Sequence, residues 1–226
     1  MEHRLPRPRN TDLLGLGKPT LSVVRSGLYT GPIFSTNWSR RLLEELDHIE
    51  EWALKTGCTI PRPNSMNEYG VVLDDFGWTT FFERALDEVI NPLVSPLFPE
   101  VIDGRLRAHH AFIVHYAQDR DIDLGFHVDE SDVTINLCLE EAGSGSMMTF
   151  EGRRCFHHLD TPVRDHEFVE YEHRQGIAIV HAGKERHRVA PIEMGVRRNL
   201  ILWCRSHADE PVDFGACPTW CGAHEG

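Results

Sequence analysis

The sequence predicts a mainly β domain, a closed or double-sheet antiparallel barrel with two helices packed on its outer face. Two observations support this fold class. After Gly104, about eight short runs of β-forming residues alternate with turn residues, as expected of such a barrel. Two stretches with helical spacing precede these runs instead of alternating with them, which argues against a doubly wound parallel sheet.

The composition agrees with a single globular domain. The chain has 226 residues, of which 41% are hydrophobic, enough to bury a substantial core. Its formal net charge of −12 argues against an extended phosphate-binding surface, so we expect no nucleic-acid partner. The sequence leaves the oligomeric state open.

Hydropathy and cysteine usage indicate a cytoplasmic protein. No apolar run approaches the roughly eighteen residues of a membrane-spanning helix, and the segment MEHRLPRPRN lacks the apolar core of a secretory signal. We therefore expect no membrane partner. The six cysteines do not form the dense framework of small secreted proteins, so we expect most of them to be reduced.

The chain divides into four parts within one domain. The first part is rich in Pro and Gly and has no sustained period, which is typical of an extended arm. The second contains the helices, the third contains the strands, and the last is a short polar tail. The expected parts are an extended arm at 1–30, helical support at 31–104, the β core at 105–206 and the tail at 207–226.

The first helix is predicted from Thr36 to the turn at Gly57. Apolar residues recur there at helical spacing, and Ser35, Thr36 or Asn37 can cap its start. A Pro-, Asn- and Gly-rich loop then leads into a short strand at Val71.

The second helix is predicted from about Thr79 to Leu97. Pro92 and Pro96 lie inside this stretch and are expected to kink or divide it, because proline lacks the backbone N–H of a helical turn. The strand-like runs that follow are approximately 108–117, 126–129, 132–139, 146–152, 167–171, 176–181, 187–192 and 197–204.

His127 and Asp129 are the first candidate metal ligands. Residues two apart in a strand point to the same face, so the pair can offer a nitrogen and an oxygen ligand together. Ferrous iron in oxygenases is held by two imidazoles and one carboxylate, and the third ligand must come from another strand. An HxD pair is weak evidence in a chain with fourteen histidines; the alternative is a surface strand with a salt-bridged Asp129.

His187 and Arg197 strengthen the metal hypothesis. His187 begins a later strand, and Arg197 follows it by ten residues at the start of the run RNLILW. A buried guanidinium is costly without an anionic partner, and its planar fork matches a carboxylate. This arrangement favours a dicarboxylate ligand.

These motifs resemble the 2-oxoglutarate and Fe(II)-dependent dioxygenases of the prolyl 4-hydroxylase type. The strings PRPNSMNEYGVVL, AFIVHYAQDRDIDLGFHVDESDVTINLCL, GKERHRVAPIEMGVRRNLILWCRS and CPTWC further resemble the oxygenase domain-containing proteins of that class. The resemblance runs from about Gly27 to Cys221. It implies a double-stranded β-helix (jelly-roll) core with the two helices on its outer face.

The resemblance also implies roles for individual residues. The iron ligands fall on His127, Asp129 and His187, and the clamp for the distal carboxylate of 2-oxoglutarate falls on Arg197. Tyr116 resembles the tyrosine that hydrogen-bonds the co-substrate in this class.

Asn136 is a further candidate for the same pocket. It is in phase with Thr134 on the strand after the HxD pair, so it can line the site; equally, it can bond the neighbouring backbone.

The implied reaction couples oxidation of 2-oxoglutarate by O2 to hydroxylation, with release of succinate and CO2. The cofactors are Fe(II), 2-oxoglutarate and O2, with ascorbate as a further candidate. The substrate is expected to be a small molecule or a peptide, oxidised at an unactivated C–H bond. Halogenation is disfavoured, because related halogenases replace the carboxylate that this chain keeps as Asp129.

Two alternative functions make different demands on the sequence. A cupin-like metalloenzyme without 2-oxoglutarate has no need of Arg197, and a non-catalytic binding module on the same fold usually lacks a ligand. The chain keeps every ligand position.

Three features depart from a simple site. Gly145-Ser146 stands where relatives usually carry a Gly-Gly pair, which puts the geometry of that turn in doubt. His181 competes with His187, but only His187 has the ten-residue spacing to Arg197. His157 and His158 are expected at the surface.

Cys217 and Cys221, with His224 nearby, raise the question of zinc. Structural zinc needs four ligands, and Cys204 and His207 were the candidates to complete the set. The sequence favours two reduced thiols in a docked tail.

Overall fold

The computed structural model describes residues 19–207 and 217–224. Within these residues, antiparallel strands form a seven-stranded sheet and a four-stranded sheet, and the helices pack on the larger one. The predicted fold class, a double-stranded β-helix with helices on its outer face, is confirmed. Residues 1–18 of the expected arm lie outside the described residues.

The larger sheet contains the two longest strands of the described chain, Ala108–Ala117 and Val196–Arg205, which pair along their whole length. Its strands, in spatial order, are β1 (Ser22–Arg25), β2 (Leu28–Gly31), β10 (Ala178–Ala182), β6 (Val133–Glu140), β13 (Val196–Arg205), β4 (Ala108–Ala117) and β3 (Gly70–Val72). β1 and β2 form a hairpin at one edge, so the second half of the expected arm belongs to the sheet.

The smaller sheet covers one face of the larger sheet. Its order is β5 (Leu124–His127), β11 (Glu185–Val189), β8 (Met148–Arg153) and β9 (Phe168–Tyr171), and a short pair joins β7 (Ser144–Gly145) to β12 (Ile192–Met194). Each of the eight predicted strand runs overlaps one of these strands, with ends displaced by a few residues. Turn residues separate the runs, so the existence of each strand was easier to predict than the residues at which it begins and ends.

Alternation along β4 separates two hydrophobic layers. Phe112, Val114 and Tyr116 point between the two sheets, whereas Ala111 and Ile113 face the helices. Successive strand residues point to opposite faces, so one strand supplies both layers. Full burial of each large apolar side chain contributes about 1.5–3 kcal/mol.

The first helix, α1 (Thr36–Thr56), has the predicted limits. Ser35 caps its start, because its hydroxyl oxygen accepts a hydrogen bond from Trp38 N–H at 3.2 Å. Gly57 ends it in the left-handed conformation with φ of 69°. The buried face includes the predicted apolar positions Leu42, Leu46, Ile49 and Ala53.

The second helical segment is divided as expected. α2 (Thr79–Ala85) continues into a wide π-type stretch at Leu86–Ile90, then α3 (Asn91–Val94) and a 3₁₀ turn at Ser95–Leu97. Pro92 lacks an N–H and its ring crowds the preceding turn, which explains why the helix widens there. Among the described residues, no helix is long and apolar enough to cross a bilayer.

Candidate metal centre and adjoining cavity

His127 and Asp129 meet at the end of β5. His127 is the last residue of that strand, and Asp129 lies in the loop beyond it, so the predicted strand over 126–129 ends two residues early. The two side chains still converge, with His127 Nε2 3.7 Å from Asp129 Oδ1. The loop is held by the Asp129 N–H, which donates to Gly183 O at 2.8 Å. The side chains of His127 and Asp129 were expected to converge because of strand alternation. They converge instead because the contact with Gly183 holds the loop that carries Asp129.

His187 joins the pair from the neighbouring strand β11. Its Cα partner in the sheet is His127 itself, and its Nε2 lies 3.9 Å from Asp129 Oδ2. The donor atoms of these three residues all lie within 4.8 Å of one another. Both histidines place Nδ1 against a backbone carbonyl, Gly125 O at 2.8 Å and Glu185 O at 2.9 Å, which leaves both Nε2 atoms facing the carboxylate.

The protonation states suit a metal. Burial and the nearby His187 charge lower the pKa of His127 to about 4, so its imidazole is neutral at physiological pH. Burial opposes ionisation of Asp129, yet its three histidine neighbours and a hydrogen bond from Thr134 Oγ1 at 2.6 Å keep its pKa below the usual value. A neutral imidazole and a carboxylate are the forms that bind metal ions.

His181 lies beside this centre but outside the group of three. It is fully buried, its Nδ1 contacts Ala182 O at 2.9 Å, and its Nε2 is 3.9 Å from Asp129 Oδ2. Burial and the His187 charge lower its pKa to about 3. The His181 Nε2 atom has no hydrogen-bond partner among the described residues, and the group of donors within 4.8 Å of one another contains His187 instead, which favours His187 as the third ligand.

A cavity with an empty volume of about 420 Å³ extends from the three donors to Arg197. All the predicted site residues line it: His127, Asp129, His187, Arg197, Tyr116 and Asn136. The structure therefore brings together positions that are separated by up to 81 residues in the chain.

Arg197 is buried and has no carboxylate partner among the described residues. Its side chain is 1% exposed, and burial lowers its pKa. Its donors reach neutral acceptors instead: Asn199 Oδ1 at 3.0 Å, Ser146 Oγ at 3.2 Å and His173 Nδ1 at 3.1 Å. A buried, unpaired cation that faces a cavity favours an anionic ligand there.

Ser146 adopts the conformation that glycine would adopt. Its φ is 54°, and Gly145 before it has φ of 80°, so the turn keeps left-handed backbone at both positions. Gly145 is forced to be small, because a Cβ there would lie 2.5 Å from Pro191 O. The departure at Ser146 adds a hydroxyl that accepts from Arg197 and leaves the backbone of the turn in place.

Tyr116 and Asn136 both face the cavity. The Tyr116 hydroxyl accepts a long hydrogen bond from Asn67 Nδ2 at 3.5 Å, and burial raises its pKa to about 12, so it stays protonated and can donate. Asn136 Oδ1 accepts from Asn199 Nδ2 at 2.5 Å. Asn136 was expected either to line the pocket or to bond the neighbouring backbone. It lines the cavity, and its side-chain oxygen bonds the Asn199 side chain instead of the backbone.

Several polar residues that line the cavity or bond its lining were not found from the sequence. His173 is buried, donates from Nε2 to Ile177 O at 2.8 Å, and accepts at Nδ1 from Arg197 and from Asn199 at 3.2 Å. Asn64 and Asn67 line the cavity from the loop before β3. Asn199 could have been found from the sequence, since it is two residues after Arg197 and therefore on the same face of β13. His173 lies in a polar loop, where no spacing pattern points to it.

Two packed antiparallel sheets that bring two imidazoles and one carboxylate together define a protein of the non-haem metal, double-stranded β-helix class. The OGFOD2-like domain family model matches residues 15–103. An Arabidopsis thaliana relative, 2-oxoglutarate and iron-dependent oxygenase domain-containing protein ICU11, is 42% identical over 201 residues, covering 87% of this chain and 50% of that protein. The human 2-oxoglutarate and iron-dependent oxygenase domain-containing protein 2 is 35% identical over 195 residues, covering 86% and 52%.

The chain is therefore similar in sequence to the 2-oxoglutarate and iron-dependent oxygenase domain-containing proteins, and it spans about half the length of these relatives. Solved structures agree on the fold. AviO1 from Streptomyces viridochromogenes has a TM-score of 0.62 at 17% identity, covering 84% of this chain and 94% of that one. A Pseudomonas putida prolyl-4-hydroxylase has a TM-score of 0.55 at 14% identity, covering 81% and 95%.

Proposed function

We propose that this chain is an Fe(II)- and 2-oxoglutarate-dependent dioxygenase that hydroxylates an unactivated C–H bond of a small molecule or of an amino-acid side chain, with release of succinate and CO2. One observation carries the proposal. A single cavity holds a His-Asp-His donor set at one part of its wall and a buried cation without an acidic partner at another. The homologous oxygenases support the same conclusion.

The donor set fits ferrous iron. His127 and His187 present imidazole Nε2 atoms and Asp129 presents its carboxylate, the ligand types of non-haem iron oxygenases. These three residues would hold the metal. Bound iron and the oxo-acid supply the oxidative chemistry, and the protein supplies binding, orientation and a shielded cavity.

Arg197 and Tyr116, which line the cavity, and His173, which bonds Arg197, would position the oxo-acid. Arg197 would take its distal carboxylate, because the guanidinium is held in place by neutral acceptors that leave its charge uncompensated. The Tyr116 hydroxyl can donate to the same ligand. His173, whose pKa burial and the Arg197 charge lower to about 3, stays neutral and so accepts from Arg197 without repelling it.

The substrate is expected to enter through an adjoining groove. This groove has an empty volume of about 1180 Å³ and shares Asn64, Met66 and Trp203 with the cavity. It is large enough for a small molecule or for the side chain of a peptide. The net charge of −12 supports the absence of a nucleic-acid partner, and the cytoplasmic location stays part of the proposal, to be checked by cell fractionation.

Succinate formation tests the proposal. Purified chain with Fe(II), ascorbate, O2 and labelled 2-oxoglutarate should release labelled succinate slowly, even without substrate. The Arg197→Met variant should bind iron normally but lose this turnover, while exposed Cys58→Ser serves as the matched control. Iron binding without any turnover of 2-oxoglutarate would favour the cupin-like alternative. If succinate is released, candidate metabolites and peptides are screened by mass spectrometry for an added oxygen atom.

A further inference from the structure

A second cluster of metal-binding side chains lies outside the cavity. Cys155 and His158 follow β8, and Cys217 and Cys221 lie in the C-terminal segment, 62 residues beyond Cys155 at the closest. One donor atom from each residue lies within 4.8 Å of all the others. We propose that these four residues form a structural zinc site that fastens the C-terminal segment to the loop between β8 and β9.

The distances among the donors match a tetrahedral ion. Cys155 Sγ lies 3.1 Å from His158 Nδ1 and 3.6 Å from Cys217 Sγ. His158 Nδ1 lies 3.5 Å from Cys217 Sγ and 3.7 Å from Cys221 Sγ. With Zn–S of about 2.3 Å and Zn–N of about 2.0 Å, tetrahedral neighbours lie about 3.5–3.8 Å apart. Three of the four distances lie in this range and the Cys155–His158 distance of 3.1 Å is shorter, so the donors surround a space close to the size that zinc requires.

The local sequence builds each half of the site as a tight turn. Cys155 and His158 are three residues apart, and the His158 N–H donates to Cys155 O at 2.9 Å. Cys217 and Cys221 are four apart, and the Cys221 N–H donates to Pro218 O at 3.0 Å. Paired ligands at such short spacings are typical of structural zinc sites. The two halves are also linked directly, because the Cys155 N–H donates to Cys221 Sγ at 3.4 Å.

A buried ion pair holds both halves in place beside the cluster. Arg154 is 1% exposed and bonds Glu167 through both of its terminal nitrogens, at 2.6 and 2.7 Å. Gly222 packs against this pair, and a Cβ there would lie 2.7 Å from both Arg154 Nη1 and Glu167 Oε1. The C-terminal segment is thus seated on the β8–β9 loop by contacts that do not involve the four donors.

The donor set distinguishes this site from the catalytic one. Three sulfurs and one nitrogen fill all four positions of a tetrahedron, so no position stays open for a ligand or water. Soft thiolates select zinc over the iron that suits two imidazoles and a carboxylate. Arg186, next to His187 on β11, donates to Leu159 O at 2.9 Å and Thr161 O at 2.7 Å. The loop that carries His158 is therefore packed against the strand that carries the proposed iron ligand.

Two expectations from the sequence are corrected here. Cys204 is buried in β13, and His207 contacts Asp103 at 3.0 Å, so neither completes a set with the tail cysteines. His158 was expected at the surface and is instead half-buried in the cluster, whereas His157 is exposed as expected. The His224 side chain lies outside the described residues.

Metal analysis of the purified full chain tests the zinc site. After gel filtration in buffer with a mild chelator, wild type should retain about one zinc per chain by elemental mass spectrometry. Cys217→Ser and Cys221→Ser should lose it, whereas exposed Cys58→Ser should keep it. His187→Ala should lose iron but keep zinc, which separates this proposal from the oxygenase.

Cobalt replacement keeps the test decisive if the serine variants fold poorly. Cobalt-loaded wild type should absorb with thiolate-to-metal charge transfer and the strong visible bands of a tetrahedral ion. An octahedral spectrum without thiolate bands would overturn the proposal. So would zinc retention in both serine variants, or an intact mass lower by two hydrogens, which would mean that two of the cysteines form a disulfide.

Discussion

The two clusters of metal-binding side chains in this chain are built in opposite ways. His127, Asp129 and His187 lie at the wall of a cavity, offer only three donors and share that cavity with an uncompensated Arg197. The second cluster, Cys155, His158, Cys217 and Cys221, offers four donors to a single point. An incomplete donor set leaves room for ligands and reactants, whereas a complete one can only hold structure.

The contrast also appears in how each cluster is supported. The first depends on sheet register, since His187 pairs with His127 across β5 and β11. The second depends on two tight turns and on the Arg154–Glu167 ion pair beneath them. Strand register sets the geometry of the first cluster. In the second cluster, two turns bring together donors from segments that are distant in the chain.

Removing a donor from each cluster should give the largest and most different effects. Loss of a residue that only hydrogen-bonds a metal ligand costs about 10–100-fold in activity. His187→Ala removes a proposed ligand itself, so it should reduce 2-oxoglutarate turnover by more than this, with little change in thermal stability. Cys221→Ser should lower stability by more than the about 1 kcal/mol of an average substitution, with iron binding retained. Turnover assays and calorimetry measure the two effects; equal loss of turnover in both variants would contradict the division.

Arg197→Met tests what makes the first cavity a binding site. Methionine keeps much of the apolar stem but removes the cation that we assign to the distal carboxylate. Binding of 2-oxoglutarate should weaken by about 2–5 kcal/mol, since a buried charged partner is lost. Calorimetric titration in the presence of Mn(II) measures it, and unaltered affinity would remove Arg197 from the proposed role.

Acid should destabilise the Arg197 end of the cavity through His173. Burial lowers the pKa of His173 to about 3 in the folded chain, below its unfolded value of about 6.5. The unfolded state therefore binds the proton more readily, so the stabilising contribution is present above about pH 6.5 and is lost as the pH falls toward 3. Between about pH 7 and pH 5 the loss is about 2 kcal/mol.

Urea unfolding of wild type and His173→Gln measures this dependence. Glutamine can donate to Ile177 O and accept from Arg197 but does not titrate, so its stability should fall less between pH 7 and pH 5. Parallel slopes for the two proteins would mean that other groups carry the acid sensitivity.

The smallest effect is expected at Ser146. Alanine and glycine both remove the hydroxyl that accepts from Arg197, but only glycine adopts the φ of 54° without strain. Ser146→Gly should therefore be more stable than Ser146→Ala by about 1 kcal/mol. Thermal unfolding of the pair measures the difference, and equal stability would show that the turn relaxes in the alanine variant.

The strands and helices could be predicted because they depend on local patterns. Alternation in β4 and helical spacing in α1 are written directly in the sequence, as are the capping residues Ser35 and Gly57. The hairpin β1–β2 was missed, because its residues pair with the distant strand β10 and carry little pattern of their own.

The candidate site residues could be selected by type and spacing, but their arrangement could not, and their catalytic roles stay predictions. The sequence pointed to His127, Asp129, His187 and Arg197, and it left Asn136 between two roles. It gave no indication of His173, because an acceptor for Arg197 is defined by three-dimensional proximity alone. The choice of His187 over His181 rested on spacing and stays a prediction: both Nε2 atoms lie 3.9 Å from Asp129 Oδ2, but only His187 belongs to the group of three donors within 4.8 Å of one another.

The sequence by itself determined the two helical segments and the strands after Gly104, and it predicted the ligand types of the first centre and an anionic ligand for Arg197. Only the tertiary structure decided which cysteines meet. Cys155 and His158 meet Cys217 and Cys221, although Cys217 lies 59 positions after His158 in the chain. Local propensity cannot encode such a contact, because it arises when the sheets and the C-terminal segment pack together.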